Sequence, residues 1–265
     1  MRFKSLSQLK RPAAQEVILD SLPQKISMTS YAHAKAFKIN ELVRTIHQSS
    51  YEWYGYTLAR RDNPELIVDI GLPHNEQNVL EYTSIDPEKI AAFQEALAAD
   101  RFINGWIHSH GELDFQVFSA TDEQNHLTVL DYVTALYKKP IAKKEILIKD
   151  LTLLVAGHFA EPDLAKGSVS LITDVPVAQV RVLETVYGGF SYGIVIGDQG
   201  WHRQEIYYKR RAILSGQTSV SHQEAEIVLV EDGQSLTPVE LAALAAEVKE
   251  KINPITYKLE KLEIL

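Results

Sequence analysis

Between residues 86 and 137 the chain places a helix, a strand and a second helix in immediate succession, and this alternation constrains its fold more than any other feature. Asp86-Pro87-Glu88 opens the first helix, with Asp86 as N-cap and proline at the first helical position, and the Ala-rich stretch Ala91–Ala98 carries it onward. Phe102–His108 reads as a short buried strand. After a loop, Ser119-Ala-Thr-Asp122 starts a helix over about Thr121–Tyr137, whose apolar face is Leu127, Val129, Leu130, Val133 and Leu136. A strand buried between amphipathic helices needs a sheet that helices cover, so the fold class expected is α/β.

The rest of the chain extends that pattern. Ala32, Ala36, Phe37, Ile39, Leu42, Val43 and Ile46 recur at helical spacing between Thr29 and about His47. Strand-like runs follow at Glu52–Ala59 and Glu65–Ile70, and Pro73–Gln77 punctuates what comes next. Later strands are expected at Glu145–Ile148, Leu151–Val155 and Val169–Thr173, and as a hairpin in which Tyr192–Ile196 returns as Trp201–Tyr208 across Gly197–Gly200. Thr237-Pro238-Val-Glu240 is a capping box that launches a helix over Val239–Ile252, before Asn253-Pro254 stops it. The expected organisation is a leader at 1–27, a main domain at 28–214 with helices flanking a mixed sheet, and a C-terminal helical extension at 215–265.

With 27 Lys and Arg against 35 Asp and Glu, the net charge of -8 provides no basic field for nucleic acid or anionic lipid. No cysteine is present, which excludes disulfides, thiol catalysis and every Cys-containing zinc site, and leaves His and carboxylate as metal ligands. No run approaches the ~18 apolar residues of a spanning helix, and no apolar segment follows the charged N-terminus, so the cytoplasm is the expected compartment.

His108 and His110 stand at i and i+2, which on a strand sets both imidazoles on one face about 6.6 Å apart along the backbone. Asp122, in the first turn of the next helix, can fold back to complete three protein ligands and leave a fourth position for water. Simpler accounts remain open. An H-x-H pair can be the exposed end of a strand, and Ser119-x-x-Asp122 can be helix capping alone.

Gly105-Trp-Ile-His-Ser-His110 followed by Ser119-x-x-Asp122 resembles the motif of the JAMM family of MPN-type zinc metalloproteases, H-x-H-x(7)-S-x-x-D after a Gly-Trp. That family also carries an upstream E-x-x-G, matched here by Glu52-Trp-Tyr-Gly55, 56 residues before His108. The resemblance covers about residues 28–140, extending to 212 if later strands complete the sheet. It implies an MPN-like (cytidine-deaminase-like) fold with one Zn2+ per chain on His108, His110 and Asp122. It further implies Glu52 as general base and Ser119 as hydrogen-bond donor to the developing oxyanion. The implied activity is that of a deubiquitinase-like isopeptidase or peptidase acting on ubiquitin or a ubiquitin-like protein and its conjugates, although bacterial members of the family also process sulfur-carrier proteins or small amides.

The chain departs from the pattern in three places: eight residues separate His110 from Ser119, Gly111 stands where proline is usual, and Ala59 stands where glycine is usual. Two other functions compete: a non-catalytic MPN-type scaffold, which typically lacks some of these ligands, and a zinc amidohydrolase of small molecules. A deaminase of the usual kind is excluded because it needs a C-x-x-C pair.

Among the remaining residues, Asp114 is an outside candidate for ligand or substrate contact, and His126 lies one turn beyond Asp122 as a candidate neighbour of the ligands. Lys138-Lys139-Pro140-x-x-Lys143-Lys144 reads as a solvated helix end. The regions Pro73–Tyr82 and Lys138–Lys149 correspond to places where family members grip ubiquitin-like substrates. Tyr51, Trp53, Tyr54 and Tyr56 read as core and sheet packing.

Overall fold

The computed structural model describes residues 15–78, 85–113, 115–148 and 180–255. Their element order is β1 (Glu16–Ile18), β2 (Ile26–Thr29), α1 (Ser30–His47), β3 (Tyr54–Arg60), β4 (Asn63–Gly71), β5 (Asn75–Asn78), α2 (Pro87–Glu95), β6 (Arg101–Ser109), α3 (Ala120–Leu136), β7 (Lys139–Ile148), β8 (Val180–Ile196), β9 (His202–Ala212), β10 (Thr218–Glu224), β11 (Ile227–Val230), α4 (Pro238–Lys251) and β12 (Ile252–Ile255). The expected strands at Leu151–Val155 and Val169–Thr173, and Asp114, lie outside the described residues. The class is α/β with a mixed sheet, as the alternation of elements implied. Among the described residues no helix is long and apolar enough to cross a membrane.

Each helix starts where its cap residue dictates. Thr29 accepts from the Ala32 amide at 3.1 Å, and Asp86 accepts from the Glu88 amide at 2.9 Å with proline beginning α2. Ser119 and Thr237 each form a full capping box, with Asp122 and Glu240 as the reciprocal carboxylates.

The chain divides into two compact units. The larger comprises 22–139, 188–210 and 218–265. Its sheet runs β8-β6-β3-β4-β2-β11, with β9 on β8 and β10 on β9. Strand β3 is antiparallel to both β4 and β6, whereas β6 is parallel to β8, and β2 is parallel to β4 and β11. Alternation along β3 sends Tyr54 and Tyr56 into a cluster with Ile90 of α2, Trp106 of β6, and Val129 and Val133 of α3. The preceding Trp53 points the other way and donates to Asn40 of α1 at 2.9 Å. Helices α2 and α3 thus cover one face of the sheet, and α1 covers the other, with α4 packed on α1. Of the aromatic residues expected in the core, Trp53, Tyr54 and Tyr56 are buried, whereas Tyr51 is only partly buried.

The smaller unit comprises 1–21, 140–187 and 211–217. In it β1 pairs antiparallel with β7, Glu16 opposite Lys144. Glu184, a buried carboxylate, accepts from the Leu214 and Ser215 amides at 3.1 and 2.8 Å and from the Ser215 hydroxyl at 2.9 Å. These donors hold its pKa below the ordinary value against the opposing effect of desolvation.

Three expectations need correction. The basic run from Lys138 does not end a helix: α3 stops at Leu136, Tyr137 is its extended C-cap, and Lys139, Lys143 and Lys144 lie on β7. Residues beyond 215 are more than a helical extension, because β11 adds to the sheet beside β2, Ile227 opposite Ile26. The helix of this region, α4, ends at Lys251, before Asn253-Pro254 as expected, and those two residues lie in β12, which pairs parallel with β5. Likewise β2 draws residues 26 and 27 of the expected leader into the sheet.

Candidate metal centre

Strand β6 carries two of the candidate residues to the centre of the sheet, between β3 and β8. The ladders continue past its end: the Ser109 amide donates to the Trp53 carbonyl at 2.8 Å and the His110 amide to the Ile196 carbonyl at 3.0 Å. The backbone therefore stays extended through His110, and His108 and His110 share one face, the condition that the i, i+2 spacing required. Both are buried, at 5% and 6% exposure, which excludes the exposed strand end.

Asp122 reaches the same point from the first turn of α3. Its Oδ1 lies 3.3 Å from His108 Nε2 and its Oδ2 3.7 Å from His110 Nε2, while the two Nε2 atoms are 3.1 Å apart. Four ligands held about 2.0–2.1 Å from one ion in a tetrahedron lie about 3.3–3.4 Å from one another. The observed separations bracket that edge, so this buried His-His-Asp cluster can hold a metal ion. Capping and ligation turn out to be compatible. Asp122 Oδ2 also accepts from the Ser119 amide at 2.7 Å, so the capping box aims the carboxylate.

His110 Nδ1 lies 2.6 Å from the Phe115 carbonyl, an acceptor only, so Nδ1 carries a proton, and in the neutral ring Nε2 offers its lone pair to the cluster. Burial lowers the His108 pKa, with Asp122 working in the opposite direction, and keeps the ring in the neutral form that binds metal. At His110 burial also acts downward but is outweighed by the bonds to Asp122 and Phe115, and the pKa is raised. Desolvation opposes ionisation of Asp122, yet the two imidazoles and the Ser119 amide hold its carboxyl far below the usual range.

Glu52 is not on a strand as expected, since β3 begins at Tyr54. Tyr54 is opposite His108, and Glu52, two residues before it, is near enough to His110 and Asp122 for both to act on its carboxyl. Its side chain is exposed at the rim. Partial desolvation nevertheless raises its pKa, with His110 lowering it and Asp122 raising it. Ser119 accepts from the Asp122 amide at 3.2 Å through Oγ, which leaves its hydroxyl proton free for another acceptor.

Gly111 has φ +57°, and a Cβ there would fall 2.5 Å from Ser50 Oγ. Proline, locked near φ -65°, cannot occupy this position, so the glycine after the second histidine is required by the turn.

His126 is buried and neutral, its pKa driven well down by desolvation. It stacks on Tyr207 with ring centroids 4.7 Å apart, meets Trp106 edge-on, and lies 6.3 Å from the His108 ring. Gly193 makes the room, since a Cβ there would come within 2.3 Å of the imidazole.

Sequence reasoning missed Asn40, Asp198 and Trp201. The Trp201 ring lies 6.2 Å from His110 and belongs to no recognisable motif, whereas Asn40 left a signal, an amide among the apolar positions of an amphipathic helix. No known family model matches the chain, and a search of curated proteins finds no match.

Proposed function

We propose that this chain is a JAMM-type, MPN-like zinc isopeptidase or peptidase that hydrolyses amide bonds in ubiquitin-like proteins or their conjugates. The observation that carries the reading is the buried convergence of His108, His110 and Asp122 at tetrahedral-edge distances, with the Glu52 carboxyl interacting electrostatically with His110 and Asp122. Two imidazoles and one carboxylate with no thiolate suit zinc and leave a fourth position open.

Zinc bound there would lower the pKa of a water from about 15.7 to about 7 and polarise the scissile carbonyl. Glu52, its pKa raised by desolvation, accepts the proton of the attacking water and delivers it to the leaving amine. An amide needs that second transfer, because an unprotonated amine is a poor leaving group. The Ser119 hydroxyl, its lone pair engaged by the Asp122 amide, donates its proton to the developing oxyanion.

The test is a panel of ubiquitin-like fusions and isopeptide-linked conjugates, incubated with the zinc-loaded parent and with Glu52→Gln. Cleavage by the parent and none by the variant supports the reading. Cleavage of small amides alone would favour a small-molecule amidohydrolase, and binding of conjugates without cleavage would favour a scaffold.

A further inference from the structure

The two histidines and Glu52 come from different segments, and one buried side-chain network joins those segments behind the site. Asn40, on the sheet-facing side of α1, is its centre and is 5% exposed. Its Oδ1 accepts from Trp53 Nε1 at 2.9 Å and from Ser109 Oγ at 2.7 Å. Trp53 directly follows Glu52, and Ser109 stands between the two histidines. Its Nδ2 donates to Asp198 Oδ1 at 2.7 Å.

Asp198 closes the circuit from the β8–β9 turn. Its Oδ2 accepts from Ser50 Oγ at 2.8 Å, and its amide donates to the Gly111 carbonyl at 2.9 Å. The Gly111 amide in turn donates to Ser109 Oγ at 2.8 Å. Glu52 is therefore flanked by two residues of the network, Ser50 and Trp53, and the His108–His110 segment by two more, Ser109 and Gly111.

We infer that Asn40 and Asp198 are positioning residues, whose paired side chains set the spacing between Glu52 and the His108–His110 ligand pair. Neither touches the candidate ligands. Their effect runs through backbone segments whose main function otherwise is to connect strands. The polarity of the pair matters: Asn40 must present its oxygen to Trp53 and Ser109, so its amide group must meet an acceptor, and Asp198 supplies one. A buried amide engaged by three such bonds fixes one arrangement, because any other leaves polar atoms unpaired at a cost of about 1–3 kcal/mol each. The inference rests on the metal reading above.

That polarity gives the experiment. In Asn40→Asp, oxygens face each other across the pair, whereas the double variant Asn40→Asp/Asp198→Asn reverses donor and acceptor and restores the bond. Co(II) alone serves as the probe, read by its visible ligand-field bands and by titration. Asn40→Asp is expected to bind Co(II) roughly 10- to 100-fold more weakly than the parent, the usual effect of losing support for metal ligands, and with altered bands. The double variant recovers both.

Asp198→Ala, at a half-buried turn, weakens Co(II) binding in the same direction and carries the test if Asn40→Asp does not fold. An exchange-protected Trp53 indole proton in the variants shows that α1 still docks on the sheet. Parent-like Co(II) affinity and bands in folded Asn40→Asp or Asp198→Ala would overturn the inference, as would a double variant no better than Asn40→Asp. If the parent itself takes up no Co(II), the metal reading fails and this inference falls with it.

Discussion

His110 donates its Nδ1 proton to the Phe115 carbonyl at 2.6 Å, so one bond both fixes the tautomer of a candidate ligand and ties down the loop that follows it. That loop is one residue longer than the motif it resembles, and it exposes Leu113, Phe115 and Val117. An imidazole held in this way offers Nε2 to the cluster without having to reorient.

Removing the ring should release the loop. His110→Ala is expected to speed chymotryptic cleavage at Leu113 and Phe115 several-fold, since local opening governs proteolysis of an otherwise folded chain. The comparison is made on metal-free parent and variant by timed digestion and mass analysis. Equal digestion rates would show that the Phe115 bond does not restrain the loop.

Ser119 caps α3, and one substitution separates that role from the oxyanion contact proposed for it. Ser119→Ala removes an N-cap and should cost about 0.5–2 kcal/mol in urea unfolding. If the hydroxyl also serves the oxyanion, turnover falls by about 10²–10³ in the same variant, far more than partial unfolding explains. A loss of stability with full turnover would leave Ser119 as a cap alone.

As the proposed base, Glu52 should set the acid side of the pH profile. A base must be ionised to accept a proton, so turnover should fall as pH drops through the Glu52 pKa, which desolvation raises above the ordinary carboxylate value. The acid limb therefore lies at higher pH than for a free glutamate. Glu52→Gln should lower turnover by about 10²–10⁴ while retaining metal, measured by initial rates and by metal content of the same preparations. A variant as active as the parent would reassign the base.

Much of the site was legible because its determinants are local. The i, i+2 spacing needs only a strand to set two imidazoles on one face, and Ser119-x-x-Asp122 needs only a helix start to aim a carboxylate. Helix starts at Asp86, Ser119 and Thr237 were legible for the same reason, each being a cap chemistry written in a few residues, whereas α1 was legible from its apolar spacing. What escaped depends on distant pairing. Ile227–Val230 becomes a sheet strand because β2, some two hundred residues earlier, leaves an edge for it, and periodicity cannot show that. The Asn40–Asp198 bond spans 158 positions and depends on which face of α1 the sheet covers. Glu52 fell short of a strand because the ladder that would include it has only β6 as a partner, and β6 itself ends at Ser109.

The most direct test of the central claim is the metal content of the parent, purified without chelator, beside that of His108→Ala and Asp122→Ala. The account predicts about one zinc per parent chain and a loss of most of it in each variant, with chelation lowering the melting temperature of the parent alone. No zinc in the parent, or equal zinc in parent and variants, would contradict it.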